Sequence, residues 1–263
     1  MPFDELSDEQ NNQIARGFDA TPELIPFIQY LLQDLWELGS SPQYIIDILK
    51  LLGLPKNSTI LDLACGKGAV SLQIAKALGY NALGLDLFEP FIKEAKQKAL
   101  ELGLKDLCKF EVEDIHTAVQ NKRNFDIVIL ASAESLLGNI KNTITLLRKC
   151  VRQEGFIIFD SSYRRDNSIL KDPNYSVIEK YDETISLLTS QSDEIVYEVK
   201  VPIEETKAIN DSYTSSITRR ANELTIKFPE KKELLLNYVK RQEEECKIIN
   251  EEIVGCIWCL RKK

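Results

Sequence analysis

The stretch that decides the fold runs from residue 60 to residue 68 and reads Ile60-Leu61-Asp62-Leu63-Ala64-Cys65-Gly66-Lys67-Gly68. Its first half is apolar and predicts a short buried strand, whereas its second half consists mainly of small residues and glycines. A helical apolar pattern follows over residues 69–78. Because glycine carries no Cβ, such a turn brings the backbone close to a ligand beside the start of the helix. The stretch therefore predicts a ligand-binding turn between a strand and a helix.

Strands and helices alternate regularly on both sides of this turn. Short apolar runs predict strands, and apolar residues at helical spacing predict helices between them. The predicted strands are 58–63, 82–87, 109–112, 125–131 and 156–160, and the predicted helices are 69–78, 90–102 and 140–152. Strands that alternate with helices of this length form a parallel sheet with right-handed crossovers. The sequence therefore predicts a doubly wound α/β fold.

The alternation ends in the last hundred residues. Residues 194–201 and 253–260 each predict a strand, and no crossover helix follows the second one. We interpret the two as an antiparallel pair that completes a seven-stranded, mostly parallel sheet, with helices over about 212–227 and 230–250 inserted between them.

Two helical patterns, 22–38 and 42–52, precede the first strand. The second begins with Ser41-Pro42, a favourable N-cap and first helical residue. We therefore expect four segments along the chain: an N-terminal helical cap (1–53), an α/β core (54–202), a helical insertion (203–252) and the final strand of the core (253–263).

Aspartates follow three successive strands of the predicted sheet. Asp62 ends the first strand, Asp86 ends the second, and Asp114 follows the third. The carboxyl ends of parallel strands meet at one edge of a sheet, where ligands bind in open α/β folds. A carboxylate at the end of the second strand accepts the two hydroxyls of a ribose, and one after the third is placed to hold an adenine amine. The spacing therefore predicts an adenosine-sized site.

These residues resemble the glycine-rich motif of the class I S-adenosylmethionine-dependent methyltransferases. In the turn Asp62-x-Ala64-x-Gly66-x-Gly68, alanine replaces the first glycine of that motif. The resemblance covers about residues 40–160 and extends to the final antiparallel pair. It implies a Rossmann-like cofactor-binding core and an enzyme that uses S-adenosylmethionine and releases S-adenosylhomocysteine.

The resemblance also implies roles for individual residues. The turn would lie under the methionyl and ribose parts of the cofactor, with Asp62 near the methionine end and Asp86 at the ribose hydroxyls. Leu87, Asp114 and Ile115 would surround the adenine, and Ala131, at the end of the fourth strand, would flank the reacting methyl group. The complete implied set is Asp62, Ala64, Cys65, Gly66, Gly68, Asp86, Leu87, Asp114, Ile115 and Ala131.

Other interpretations of the same residues stay open. A glycine after a strand is often only a turn residue, and an aspartate at a strand end is often a helix cap. An NAD(P)-dependent oxidoreductase is the main alternative, although Ser71 stands where the GxGxxG fingerprint has its third glycine. A non-catalytic nucleotide-binding protein with the same fold is another.

Candidates for the acceptor side follow the fourth and fifth strands. Methyl transfer mainly requires alignment of acceptor and donor and exclusion of water. Glu134 and Tyr163 are candidates to orient or deprotonate the acceptor, and His116 is a candidate for the rim of the cofactor site. Arg16 and Phe18 are candidates for a lid. We expect the N-terminal helices and the insertion to select the acceptor, and a covered pocket to favour a small molecule.

The net charge of −8 and the pI near 5.0 argue against sequence-independent binding of nucleic acid. The local basic pair Arg219-Arg220 lies among glutamates and is better interpreted as a solvated helix face. No apolar stretch approaches the roughly 20 residues that span a bilayer, and the acidic N-terminus is unlike a signal peptide. We therefore expect neither a nucleic-acid partner nor a membrane.

Six scattered cysteines predict reduced thiols and a cytoplasmic protein. Cys256 and Cys259 have the spacing of a redox or zinc pair. They lie in a predicted strand, however, where side chains three apart point to opposite faces. We therefore predict no metal site.

Overall fold

The computed structural model describes residues 7–165, 170, 175 and 178–263. The chain forms two compact units, one comprising Met1–Trp36 with Pro202–Ile253 and the other Glu37–Val201 with Val254–Lys263. This grouping places the helix at Pro42–Leu52 with the sheet. The division of the chain at residues 53, 202 and 252 that the sequence suggests stays a prediction.

The second unit is built on one seven-stranded sheet with the order β3-β2-β1-β4-β5-β7-β6. Its strands are β1 (Thr59–Leu63), β2 (Asn81–Asp86), β3 (Cys108–Val112), β4 (Phe125–Ala131), β5 (Val151–Arg164), β6 (Glu194–Lys200) and β7 (Ile253–Arg261). Strands β1 to β5 pair in parallel, and β6 pairs antiparallel with β7. The predicted mostly parallel α/β sheet with an antiparallel ending is confirmed.

Helices of the second unit follow the strands as crossovers, with one helix before β1. They are α3 (Pro42–Leu52), α4 (Ala69–Leu78), α5 (Glu89–Glu101), α6 (Ile115–Asn121), α7 (Ile140–Cys150) and α8 (Tyr181–Leu188). Strand β4, whose sequence FDIVILA is apolar except for Asp126, is buried on both faces over Ile127–Ala131. One hydrophobic core joins β1, β4, β5 and β7 to α6 and α7, through Leu61, Val128, Phe159, Trp258 and Ile144 among others.

The first unit is helical. It contains α1 (Asp8–Gly17), α2 (Ile25–Leu31), α9 (Ile203–Lys227) and α10 (Lys232–Glu252). The carboxylate of Asp34 accepts hydrogen bonds from Arg219 and, in a bidentate pair, from Arg220, and this pairing holds the pKa of Asp34 at about 2. Arg219 and Arg220 therefore both pair with Asp34 within this unit.

The structure corrects several predicted boundaries. The helix predicted over 22–38 is wrong: a 3-10 turn covers Pro22–Leu24, and α2 ends at Leu31. The apolar pattern nevertheless marks a buried face, since Leu24, Ile28 and Leu35 are all buried. Helix α9 begins nine residues earlier than predicted, because residues 203–211 are too polar to show a helical period.

Candidate functional site

The turn after β1 has the strained backbone that its sequence suggests. Ala64, Gly66 and Gly68 have φ values of 55°, 52° and 73°, in the left-handed region that glycine adopts at least cost. The Cys65 N–H donates to the Leu85 carbonyl at 3.0 Å, and the Gly68 N–H donates to the Cys65 carbonyl at 2.9 Å. The turn is thereby fixed to the end of β2 and leads directly into α4.

The two glycines are also needed for space. A Cβ on Gly66 would lie 2.9 Å from Leu38 Cδ1, and a Cβ on Gly68 would lie 2.7 Å from Phe110 Cε1 and Cζ. Gly84, on β2, meets the same phenyl ring: its Cβ would lie 2.6 Å from Phe110 Cδ1. The absence of side chains at these positions thus lets neighbouring groups press against the backbone of the turn.

Asp62, at the end of β1, is 1% exposed. Its Oδ2 accepts a hydrogen bond of 2.6 Å from Ser71 Oγ on α4. Burial raises the pKa of Asp62 to about 7, and the nearby charge of Asp86 adds to that rise. The carboxyl group beneath the turn therefore titrates close to neutral pH.

Asp86, at the end of β2, holds the turn from the other side. Its Oδ2 accepts the Gly66 N–H at 2.9 Å, and its Oδ1 accepts the Phe88 N–H at 2.8 Å. Burial raises its pKa, although these two hydrogen bonds act in the opposite direction. Each oxygen of Asp86 is fixed by one backbone donor, and a carboxylate oxygen retains a further lone pair for a ligand hydroxyl.

Asp114 follows β3 and is the N-cap of α6, where its Oδ1 accepts the His116 N–H at 2.8 Å. The ring Nδ1 of His116 lies 3.0 Å from the same oxygen. Asp114 is thus a helix cap in the structure, and this role is compatible with binding a ligand as well. The Glu113 N–H donates to the Asp86 carbonyl at 3.1 Å, which joins the ends of β2 and β3. Three predicted aspartates therefore occupy adjacent strand ends.

The other predicted cofactor residues lie along the same edge. Cys65 is buried, and burial raises the pKa of its thiol. Leu87 is partly buried, and Ile115 is buried. Ala131 ends β4 beside Asp160 of β5, and the Ser132 N–H donates to the Asp160 carbonyl at 3.2 Å.

The two predicted catalytic residues differ in what the structure describes. Glu134 begins a 3-10 helix that runs to Leu137, and its side chain lies outside the described residues. Tyr163 is near the end of β5, 9% exposed, and its ring contacts those of Tyr181 and Trp258. The structure therefore places Tyr163 in an aromatic cluster and not in open solvent.

Sequence reasoning missed three contributors to this site. Ser71 was interpreted only as a departure from the dinucleotide fingerprint, whereas its hydroxyl is the hydrogen-bond donor to Asp62. Lys67, inside the turn, is 4% exposed, with its Nζ 2.9 Å from Glu94 Oε2 and 5.0 Å from the centre of the Phe91 ring. Leu38, with a φ of 51°, places its Cδ1 2.9 Å from where a Cβ on Gly66 would lie. The positive φ of Leu38 has no sequence signal.

The described residues show neither a membrane-spanning helix nor a metal cluster. No helix there is both long and apolar enough to cross a bilayer. Within the same part of the chain, no three His, Cys, Asp or Glu side chains gather as a metal site would require.

Known proteins share both sequence and fold with this chain. A family model described as a methyltransferase domain matches residues 54–222. A putative methyltransferase, YqeM, from Bacillus subtilis is 30% identical over 111 residues, which are 41% of this chain and 43% of that protein. A ubiquinone biosynthesis O-methyltransferase from Hydrogenovibrio crunogenus is 29% identical over 48% of this chain and 51% of its own length. The chain thus spans about half the length of these curated relatives.

The fold has a solved counterpart. A methyltransferase from Geobacter sulfurreducens, crystallised with S-adenosylhomocysteine, has a TM-score of 0.75 at 18% identity, over 90% of this chain and 98% of that one. At this identity the likeness concerns the fold alone. These matches give no support to the nicotinamide alternative.

Proposed function

The chain belongs to the family of methyltransferase domains, and from that premise we propose that it transfers a methyl group from S-adenosylmethionine to a small-molecule acceptor. The observation that carries the proposal is the turn after β1, held between one buried and one partly buried acidic group. Asp62 lies beneath it and Asp86 binds its Gly66 N–H. A site of this kind is acidic where an adenosyl amino acid is cationic.

The residues present fit this cofactor. Asp86 is held by the N–H groups of Gly66 and Phe88, so its remaining lone pairs are oriented to accept ribose hydroxyls. Asp62 supplies negative charge for the amino acid end, and Leu87 and Ile115 supply apolar surface for the base. When bound, S-adenosylmethionine supplies a methyl group activated by its sulfonium.

The protein's part in the transfer is mainly alignment and exclusion of water. We place Ala131, which has no long side chain, beside the reacting methyl group. We assign the orientation of the acceptor to Glu134, which follows β4, and to Tyr163, which lies near the end of β5. A general base is required only for an acceptor that must lose a proton early.

We further propose that the acceptor is not a nucleic acid and that the protein acts in the cytoplasm. The net charge of −8 disfavours phosphate-rich partners. All six cysteines are free thiols, as expected in a reducing compartment.

S-adenosylhomocysteine, the product of the proposed reaction, is expected to bind with a Kd at or below about 50 μM, which corresponds to about −6 kcal/mol. Isothermal titration calorimetry at protein concentrations near that value measures it. NADH, titrated in parallel, is the control for the nicotinamide alternative. Heat with NADH and none with S-adenosylhomocysteine would contradict the proposal.

Replacing Asp86 with alanine is expected to weaken S-adenosylhomocysteine binding by about tenfold or more, because it removes the acceptor for the ribose and the anchor for Gly66. Calorimetry on folded protein, verified by circular dichroism, gives the affinity. The matched control is Asp106→Ala, since Asp106 is exposed and distant in sequence from the turn. Equal affinities for the two variants would refute the ribose assignment.

A further inference from the structure

A cluster of aromatic and charged side chains lies on the β5-β7-β6 part of the sheet, in the same unit as the glycine-rich turn. It consists of Tyr163 on β5, Tyr181 at the start of α8, Glu198 and Lys200 on β6, and Trp258 on β7. These residues come from four separate elements, so their meeting is a property of the fold and not of a local motif. None of the assignments made above accounts for the cluster as a whole.

The cluster lies at the carboxyl edge of the sheet. Glu154 and Gly155, near the start of β5, exchange backbone hydrogen bonds with Lys262, which follows β7. Strand β7 therefore runs opposite to β5, and β6, antiparallel to β7, runs in the same direction as β5. The ends of β5 and β6 consequently face the edge where open α/β folds bind ligands.

Two aromatic rings face the ammonium group of Lys200. Its Nζ lies 4.5 Å from the centre of the Tyr181 ring and 5.6 Å from that of the Tyr163 ring. The rings are 5.1 Å apart in an edge arrangement, at an interplanar angle of 65°. A cation within about 6 Å of a ring centre is attracted by the negative face of the ring. Lys200 therefore occupies a position that two rings make favourable for positive charge.

A preorganised carboxylate completes the position. Glu198 Oε2 accepts hydrogen bonds from the Tyr181 hydroxyl at 2.9 Å and from Trp258 Nε1 at 3.2 Å. Trp258 is fully buried, so this carboxylate is fixed from the interior. Glu198 Oε1 then faces Lys200 Nζ at 3.6 Å. The negative oxygen nearest the ammonium group is thus held in place by neutral donors, which do not compensate its charge.

We propose that Tyr163, Tyr181 and Glu198 form an ammonium box, a binding site for a small organic ammonium ligand, and that Lys200 is its intramolecular occupant. Two aromatic faces and a carboxylate are the groups that recognise quaternary and tertiary ammonium ions. The side chain of Lys200 is 53% exposed on a long flexible stem, so it can leave the box without unfolding the strand.

The protonation of Lys200 supports this interpretation. The pKa of Lys200 is raised, chiefly by its hydrogen bond with Tyr163. The box therefore stabilises a cation over a neutral amine, and an ammonium ligand must compete with a tethered one at high effective concentration.

Tetramethylammonium is the probe, because it is a permanent cation without hydrogen-bond donors. In Lys200→Ala the box is vacated, and we expect tetramethylammonium to bind about tenfold or more tightly than to the wild type. The affinity is read from broadening of the methyl proton resonance of the probe in NMR titrations at constant ionic strength, without cofactor. The result is therefore independent of whether S-adenosylmethionine binds.

Matched controls separate a built site from general cation affinity. Lys227→Ala removes a lysine that lies 5.4 Å from one ring, that of Phe228, and should create no binding. In the Lys200→Ala background, Glu198→Gln keeps an acceptor for Tyr181 and Trp258 while removing the charge, and should lower the affinity about tenfold. Tert-butanol, which is similar in shape but neutral, should not bind. The proposal is overturned if Lys200→Ala binds tetramethylammonium no better than Lys227→Ala, or if tert-butanol binds equally.

Discussion

Asp62→Asn is expected to raise the free energy of unfolding by up to about 4 kcal/mol above pH 8 and to change it little near pH 4. Burial raises the pKa of Asp62 from 3.8 to about 7. At pH values between these two pKa values, Asp62 holds a proton in the folded protein that it has released in the unfolded chain. The stability of the wild type therefore falls as the pH rises through this interval of about three pH units. Asparagine resembles the neutral acid and still accepts the Ser71 hydroxyl, and it has no such penalty.

Urea unfolding followed by tryptophan fluorescence, at several pH values from about 4 to 9, gives the difference in stability between variant and wild type. Taking the difference removes the contributions of other groups, including Asp86, whose pKa is also raised by burial. A difference that does not grow between about pH 4 and 7 would contradict the prediction.

Asp126 provides a control of opposite sign. Burial works to raise the pKa of Asp126, but the Thr59 N–H at 2.7 Å and Arg152 at 2.6 Å outweigh it, and the net pKa is lowered. Ionised Asp126 therefore stabilises the fold at pH values above the ordinary pKa of an aspartate. Asp126→Asn should lower stability at neutral pH, where Asp62→Asn raises it.

Asp62→Asn should also weaken cofactor binding, because the proposed ligand carries an ammonium group and Asp62 supplies the opposing charge. A buried carboxyl that costs stability when ionised is consistent with a residue retained for binding and not for folding. The gain in stability and the loss of affinity in Asp62→Asn are then two consequences of one buried charge.

The succession of strands along the chain could be predicted because most β-strands of the core are short apolar runs between glycine or polar turns. FDIVILA at β4 is typical. The full length of β5 could not be predicted, since its last residues, Ser161 to Arg164, are polar and are ordered by pairing and by the cluster around Tyr163. The short helices α6 and α8 were missed because seven or eight residues give too few turns for a helical period.

The site was predictable to the extent that it depends on position along the chain. Asp62, Asp86 and Asp114 were located because each lies at or just after the end of a strand. The Ser71 hydroxyl and the Phe110 ring were not, because their roles depend on contacts across the sheet. The ammonium box was hidden for the same reason: Tyr163 and Lys200 are far apart in the sequence, and only the topology brings the ends of β5 and β6 to one edge.

Gly68→Ala is expected to lower the free energy of unfolding by about 2–4 kcal/mol, whereas Gly79→Ala should lower it by about 1 kcal/mol. Both glycines have φ of 73°, so alanine meets the same backbone strain at each. Nothing lies within 4 Å of a Cβ on Gly79, but a Cβ on Gly68 would meet the Phe110 ring at 2.7 Å and the Ala95 Cβ at 3.0 Å. The difference between the two variants therefore measures the steric cost alone.

The Phe110 ring has little room to yield, because it is 3% exposed and also lies against Gly84, where a Cβ would be 2.6 Å from its Cδ1. Alanine at Gly68 must then displace either the ring or the turn, and displacement of the turn should weaken S-adenosylhomocysteine binding as well as stability. Urea unfolding and calorimetry on the two glycine variants, with Phe110→Leu alone and combined with Gly68→Ala, form a double-mutant cycle. Because leucine removes the clashing ring atoms, the combined variant should be more stable than the sum of the two single losses implies. Equal losses at Gly68 and Gly79, or strict additivity with Phe110→Leu, would mean that the turn is not held by this contact.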